Sequence, residues 1–160
     1  MIIQGSHDVN TPDKIFIAMY NNGSAVSRGE WVSFDYMDYS ATALGDLIGQ
    51  MVTLLSASRS TTALPVWDVV GCAEETMAAG VSGTLGRLYL VQVYGFHDSC
   101  LYDNDGLTIG TGTLRPDPVV NGGMIAEDMT DTPEPEKAAA RSGIPLVDSQ
   151  GYLPAIIKCM

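Results

Sequence analysis

The chain has 160 residues, 46% of them hydrophobic and 17% charged, with 8 basic against 19 acidic side chains and a formal net charge of -11. That length makes one domain, able to bury roughly two-thirds of its unfolded surface, and the apolar content excludes disorder as a global description. A field of that sign repels nucleic acid.

Residues 1–13 are polar, contain Pro12 and carry no periodicity, so they read as an amino-terminal arm on a β-rich body spanning 14–160. Lys14–Tyr20 is an apolar run of strand length, closed by the turn signal Asn21-Asn22-Gly23. Glu30–Tyr36 alternates, which puts Val32, Phe34 and Tyr36 on one face and Trp31, Ser33 and Asp35 on the other, with one side facing a core. In Ser40–Leu55 a helical stripe through Leu44, Leu47, Ile48, Met51, Leu54 and Leu55 competes with Gly45 and Gly49. The expectation there is a loop followed by a strand at Met51–Ser56, with a short helix as the competing reading. Ser56–Leu64 is a polar loop.

Val69–Gly95 reads as a hairpin built from Pro65–Glu75 and Leu85–Tyr94, with Gly80, Gly83 and Gly86 supplying positive φ at the reversal. The second arm is apolar on both faces and so sits centrally in the sheet. Phe96–Asp131 is rich in Gly, Pro, Asp and Thr, which fits brief strands, such as 107–109 and 124–126, between long loops. A helix is expected near 133–142: Thr132 as N-cap, Pro133 at the first position, Glu134 and Glu136 in the first turn and Gly143 beyond the end. Tyr152–Met160 closes the chain as a strand, with Pro154 at its start or on an edge. Together these elements predict one all-β domain over 1–160, mainly antiparallel and barrel-like, with one short helix and long loops.

The residues that could carry chemistry are sparse. His97, Asp98, Ser99 and Cys100 are the types of a nucleophilic triad, but an extended segment sends consecutive side chains to opposite faces, so a structural turn is the favoured reading. A small hydrolase using His97 with Ser99 or Cys100 is the alternative. Asp103-Asn104-Asp105-Gly106 has Leu101 where the first calcium ligand belongs and fits a hairpin turn better. Gly110-Thr111-Gly112-Thr113 and the Gly80, Gly83, Gly86 series lack the Lys-Ser/Thr pair of a phosphate loop. Cys72, Cys100 and Cys159 form neither a disulfide framework nor a CxxC clip and read as reduced and structural. No catalytic, cofactor-binding or metal-ligating residue is therefore assigned. Met1–Gln4 does not open a secretion signal, and no apolar run approaches the ~20 residues of a membrane span, so no membrane step is expected. Between Asp98 and Glu136 nine acidic side chains face one basic residue, Arg115, which suits a solvated face or a basic partner surface. Trp31 and Tyr39 are the aromatic candidates for interface anchors.

The order of Asn22-Gly23 to Val26, Arg28-Gly29-Glu30-Trp31-Val32, Val70-Gly71-Cys72-Ala73-Glu74-Glu75, Ala78-Ala79-Gly80, Gly83 and the strand through Gly95 resembles the small β-barrel or β-tulip proteins that decorate the heads of tailed bacteriophages, in the manner of the lambda decoration protein. The ending Ile156-Ile157-Lys158-Cys159-Met160 is similar to their last strand, and the resemblance covers roughly residues 20–160. It implies a capsid cement protein made in a bacterial cytoplasm and bound to the outside of the mature shell. The implied partners are the major capsid protein and further copies of the chain, as a trimer or a dimer, each contact burying about 800 Å² per partner. In that reading the arm docks on the capsid by strand addition, with Ile2, Ile3, His7, Val9, Trp31 and Tyr39 as interface residues. A tail, collar or fibre component is the alternative within the virion.

Overall fold

The computed structural model describes residues 2–4, 14–35, 50–56, 69–81, 86–103, 113–117, 119–126, 140–142 and 150–159. Its elements are β1 (Ile2–Gln4), β2 (Ile15–Asn21), β3 (Trp31–Phe34), β4 (Met51–Leu54), β5 (Val69–Ala73), β6 (Leu88–Asp103), β7 (Thr113–Pro116), β8 (Met124–Ala126), β9 (Ala140–Ser142) and β10 (Gln150–Lys158). The sheet order is β1-β2-β4-β3-β5-β6-β10-β9-β7-β8, with β2 and β8 also pairing to β6. The hydrogen-bonded order therefore closes twice. One closed barrel is β2-β4-β3-β5-β6, and a second circuit is β6-β10-β9-β7-β8. Among the described strands only β2–β4 and β6–β8 are parallel. The all-β, antiparallel-rich expectation is what the chain adopts.

The device that permits two circuits is the length of β6. Its 16 residues, at about 3.3 Å each, span roughly 50 Å, more than one small barrel can use. Its first half pairs with β2 and β5, and its second half with β10 and β8. The expected hairpin is there, with Cys72 opposite Gln92 and Ala73 opposite Val91, and β6 lies centrally. The strand does not stop at Gly95, however. Phe96–Asp103, expected to begin a loop region, continues it, because β10 offers a ladder from Tyr94 to Asp103 broken only by a register shift at Asp98 and Ser99.

Two cores result. Met19, Val26, Val32, Val52, Val70, Ala73, Met77, Tyr89, Val91 and Val93 form the first, drawn from all five strands of the first barrel and from the isolated Val26–Met77 bridge. Cys100, Tyr102, Leu114, Met124, Ala155 and Ile157 form the second, together with Trp31, Leu55, Val69 and Cys72. A bulge makes β5 serve both cores. Val32 pairs with Gly71 and Ser33 with Val69, so Val70 is the extra residue, and Val70 and Ala73 join one core while Val69 and Cys72 join the other. The predicted alternation of β3 holds, with Val32 and Phe34 on one core and Trp31 on the other. Both of its faces are covered, where one was expected.

Other expectations change. Gly80 is required by close approach, since a Cβ there would lie 2.5 Å from the Asn21 carbonyl oxygen, while the described glycines with positive φ are Gly29, Gly95 and Gly122. Gly86 has neither constraint, and Gly83 lies outside the described residues. The end of the expected helix, Ala140–Ser142, is β9, held between β10 and β7; residues 132–139 lie outside the described residues, as do 107–109. Pro154 lies inside β10, where the ladder to β6 shifts register, the one kind of interior position that tolerates a missing N–H. The strands expected at Met51–Ser56 and 124–126 are β4 and β8.

Candidate functional site

The residues expected at an interface separate into three groups. Trp31 is fully buried, and its indole N–H donates to the Leu101 carbonyl at 3.0 Å. It is a core residue joining β3 to β6, because the second circuit covers the face that alternation alone leaves open. Ile2 and Ile3 belong to β1 and pair with Ile17 and Phe16 of the same chain, so this part of the arm completes its own sheet edge instead of waiting for another surface. His7, Val9 and Tyr39 lie outside the described residues. The apolar side chains that do reach the surface are others. Leu88 is 48% exposed, Tyr94 39% and Ile156 46%. Tyr94 and Phe96 of β6 stand opposite Lys158 and Ile156 of β10, so Tyr94 and Ile156 are diagonal neighbours on one outer sheet face.

A second constellation forms around His97. His97 pairs with Ala155 and Cys100 with Leu153, so Asp98 and Ser99 together oppose Pro154 alone. This bulge adds one residue to β6 and reverses its alternation, which turns Cys100 onto the same face as His97. The favoured turn is thus a bulged strand. Cys72 arrives from β5 on the inner face. One ligating atom each from Cys72, His97 and Cys100 all lie within 4.8 Å of one another, and the three residues are 0% exposed.

The surroundings of the trio are polar on one side only. The Ser99 N–H donates to His97 Nδ1 at 3.1 Å, which places the ring proton on Nε2. Nε2 lies 3.1 Å from Glu74 Oε2, yet both atoms are buried and neither makes an aligned hydrogen bond. Arg28 covers this corner from outside, 2.8 Å from Asp98 Oδ1 and 3.6 Å from Glu74 Oε1. Burial pushes the Cys72 thiol well up, reinforced by Cys100 beside it. Burial also opposes ionisation of Cys100, but hydrogen bonds from Cys72 and His97 and the charge of His97 outweigh it and bring Cys100 down to about 7. For His97 burial disfavours the charged form, and Cys100 and Glu74 overcome this to raise it. Burial pushes Cys159 up to about 12, with the charge on Cys100 adding to it.

Among the described residues His97 and Cys100 are fully buried and Ser99 is half-buried. The hydrolase arrangement needs Cys100 or Ser99 reachable from solvent with His97 as a free base, whereas His97 and Cys100 are sealed and Nδ1 is occupied by the Ser99 amide. Sequence reasoning missed the trio because Cys72 is remote in the chain and the parity of β6 hides Cys100 from His97. The available signal was Pro154, whose missing N–H marks an interrupted ladder opposite the motif.

Among the described residues no helix is long and apolar enough to cross a membrane. A scan against protein-family models and searches of curated proteins and of solved structures find no match to this chain.

Proposed function

We propose that the chain is a head-decoration protein of a tailed bacteriophage, bound to the outside of the mature capsid and reinforcing it by non-covalent contacts. The carrying observation is the outer face of β6 and β10, where Tyr94 and Ile156 stay 39% and 46% exposed as diagonal neighbours on paired strands. Rigid aromatic and branched side chains held on paired strands lose little entropy on docking, so they suit a contact made in many copies. The net charge of -11 fits the outside of a DNA-filled shell better than the inside. The partners in this reading are the major capsid protein and neighbouring copies of the chain, with a trimer favoured. Binding to several capsid subunits at once strengthens attachment through effective concentration.

The direct test is to add purified chain to empty expanded phage heads and follow bound copies per particle together with the heat resistance of the heads. Saturable binding at many copies with a raised disruption temperature is expected. Heads that bind none, or a few copies confined to the tail vertex, exclude decoration, the second result favouring a tail or collar part.

A further inference from the structure

We propose that Cys72, His97 and Cys100 bind a divalent metal ion of the zinc type, with Glu74 completing the coordination shell. This goes beyond the decoration reading and does not depend on it. Two thiols and an imidazole are the donor set of tetrahedral zinc sites, where bond lengths of about 2.3 Å to sulfur and about 2.0–2.1 Å to nitrogen place neighbouring ligand atoms roughly 3.5–3.8 Å apart. The ligating atoms of the trio already lie within 4.8 Å of one another, so modest side-chain rotations bring them to that spacing.

The independent pointer is the pair of unsatisfied buried atoms. His97 Nε2 and Glu74 Oε2 each lack a hydrogen bond although they are 3.1 Å apart. The two atoms meet as an ion pair by distance but without an aligned hydrogen bond, so each buried atom is better satisfied by a partner that accepts lone pairs. A cation does so for both at once, and their separation is close to the edge of a coordination tetrahedron made by one nitrogen and one oxygen ligand. Glu74 is not within the mutual spacing of the trio, so its carboxylate must rotate inward. The Ser99 N–H donates to Nδ1 in the metal-free ring, so ligation through Nε2 requires the ring proton to move to Nδ1 and the Ser99 contact to be released.

Charge and protons balance. Binding releases one proton from each thiol and moves the imidazole proton from Nε2 to Nδ1, and the metal's two positive charges then meet two thiolates and one carboxylate. The residual negative charge faces Arg28, 3.6 Å from Glu74 Oε1. Zinc fits better than calcium or magnesium, which take oxygen donors. The ion would staple β5 to the second half of β6, at the seam between the two cores, where β5 and β6 otherwise share the two pairs Cys72–Gln92 and Ala73–Val91.

The test uses the full chain without an affinity tag, purified under reducing conditions, with zinc and with cobalt as probes. One zinc per chain after desalting, and a cobalt complex with the intense visible bands of tetrahedral geometry and a thiolate charge-transfer band, are expected. Chelator should strip the ion and lower the melting temperature. Cys72→Ser, Cys100→Ser and His97→Gln should each lose the cobalt bands, and Glu74→Gln should weaken binding by about 10–100-fold. Should the core variants fail to fold, the cobalt spectrum of the unmodified chain still decides. Absence of the thiolate band, octahedral cobalt, or a Cys72–Cys100 disulfide in place of metal overturns the proposal. A Tyr94→Ser/Ile156→Ser double variant should keep its metal whether or not it binds heads, which separates this inference from the proposed function.

Discussion

Replacing Trp31 distinguishes a core residue from a surface anchor most sharply. Trp31 is the largest fully buried side chain among the described residues, and its N–H is spent on the Leu101 carbonyl, 70 positions away. Truncation to Ala removes a bicyclic side chain from a closed core, at about 3–5 kcal/mol. The Leu101 oxygen loses its partner in the same step, which on its own costs about 1–3 kcal/mol. The terms overlap, so about 5 kcal/mol is the expected loss, a large part of the roughly 5–15 kcal/mol that holds a domain together. At about 2–4 °C per kcal/mol for a domain of this size, the melting temperature should fall by roughly 10–20 °C. Trp31→Phe keeps most of the volume and removes the donor, so about 1–3 kcal/mol should be lost. Thermal and urea unfolding followed by circular dichroism measure both. A Trp31→Ala chain that melts within about 2 °C of the parent yet no longer binds heads would refute the core assignment, since that is how an exposed anchor behaves.

Four further outcomes follow from the same structure. Gly29 has φ +91°, and a Cβ there would lie 2.2 Å from the Ser99 carbonyl oxygen, so Gly29→Ala should cost at least about 2 kcal/mol in urea unfolding. Gly86 has open space and no positive φ, so Gly86→Ala should be neutral or stabilising by up to about 1 kcal/mol; a large loss there would restore the turn role expected from sequence. Tyr94→Ser with Ile156→Ser should leave the melting temperature nearly unchanged while greatly weakening attachment to heads, measured by sedimentation of the particles. Arg28 and Asp98 are 42% and 63% exposed at 2.8 Å, so Asp98→Asn should cost no more than about 1 kcal/mol, and less at high salt; a loss of several kcal/mol would mean the pair is shielded from solvent.

Much of the fold was legible because strands announce themselves locally. The apolar run at 14–20, the alternation at Val32 and Phe34 and the β-branched arms on either side of Gly80 all became strands. The region after Gly95 misled for an equally local reason. Its Asp98 and Ser99 are turn formers in isolation, but β10 supplies a ladder that carries the strand past them as far as Asp103. At Ala140–Ser142, pairing on both sides likewise outweighs a good helix pattern. The candidate metal trio was the least legible feature. It depends on one inserted residue opposite Pro154, and a shift of one position sends a side chain to the other face.

The sequence by itself determined that this is a β-rich domain with a negative surface and a central hairpin, since residue shape, period and charge act over a few neighbours. Tertiary structure alone decided that β6 runs through two closed circuits, that Trp31 is interior, and that Cys72 meets His97 and Cys100. Those outcomes rest on bulges and on pairings between distant segments, whose energies exist only once both strands are in place.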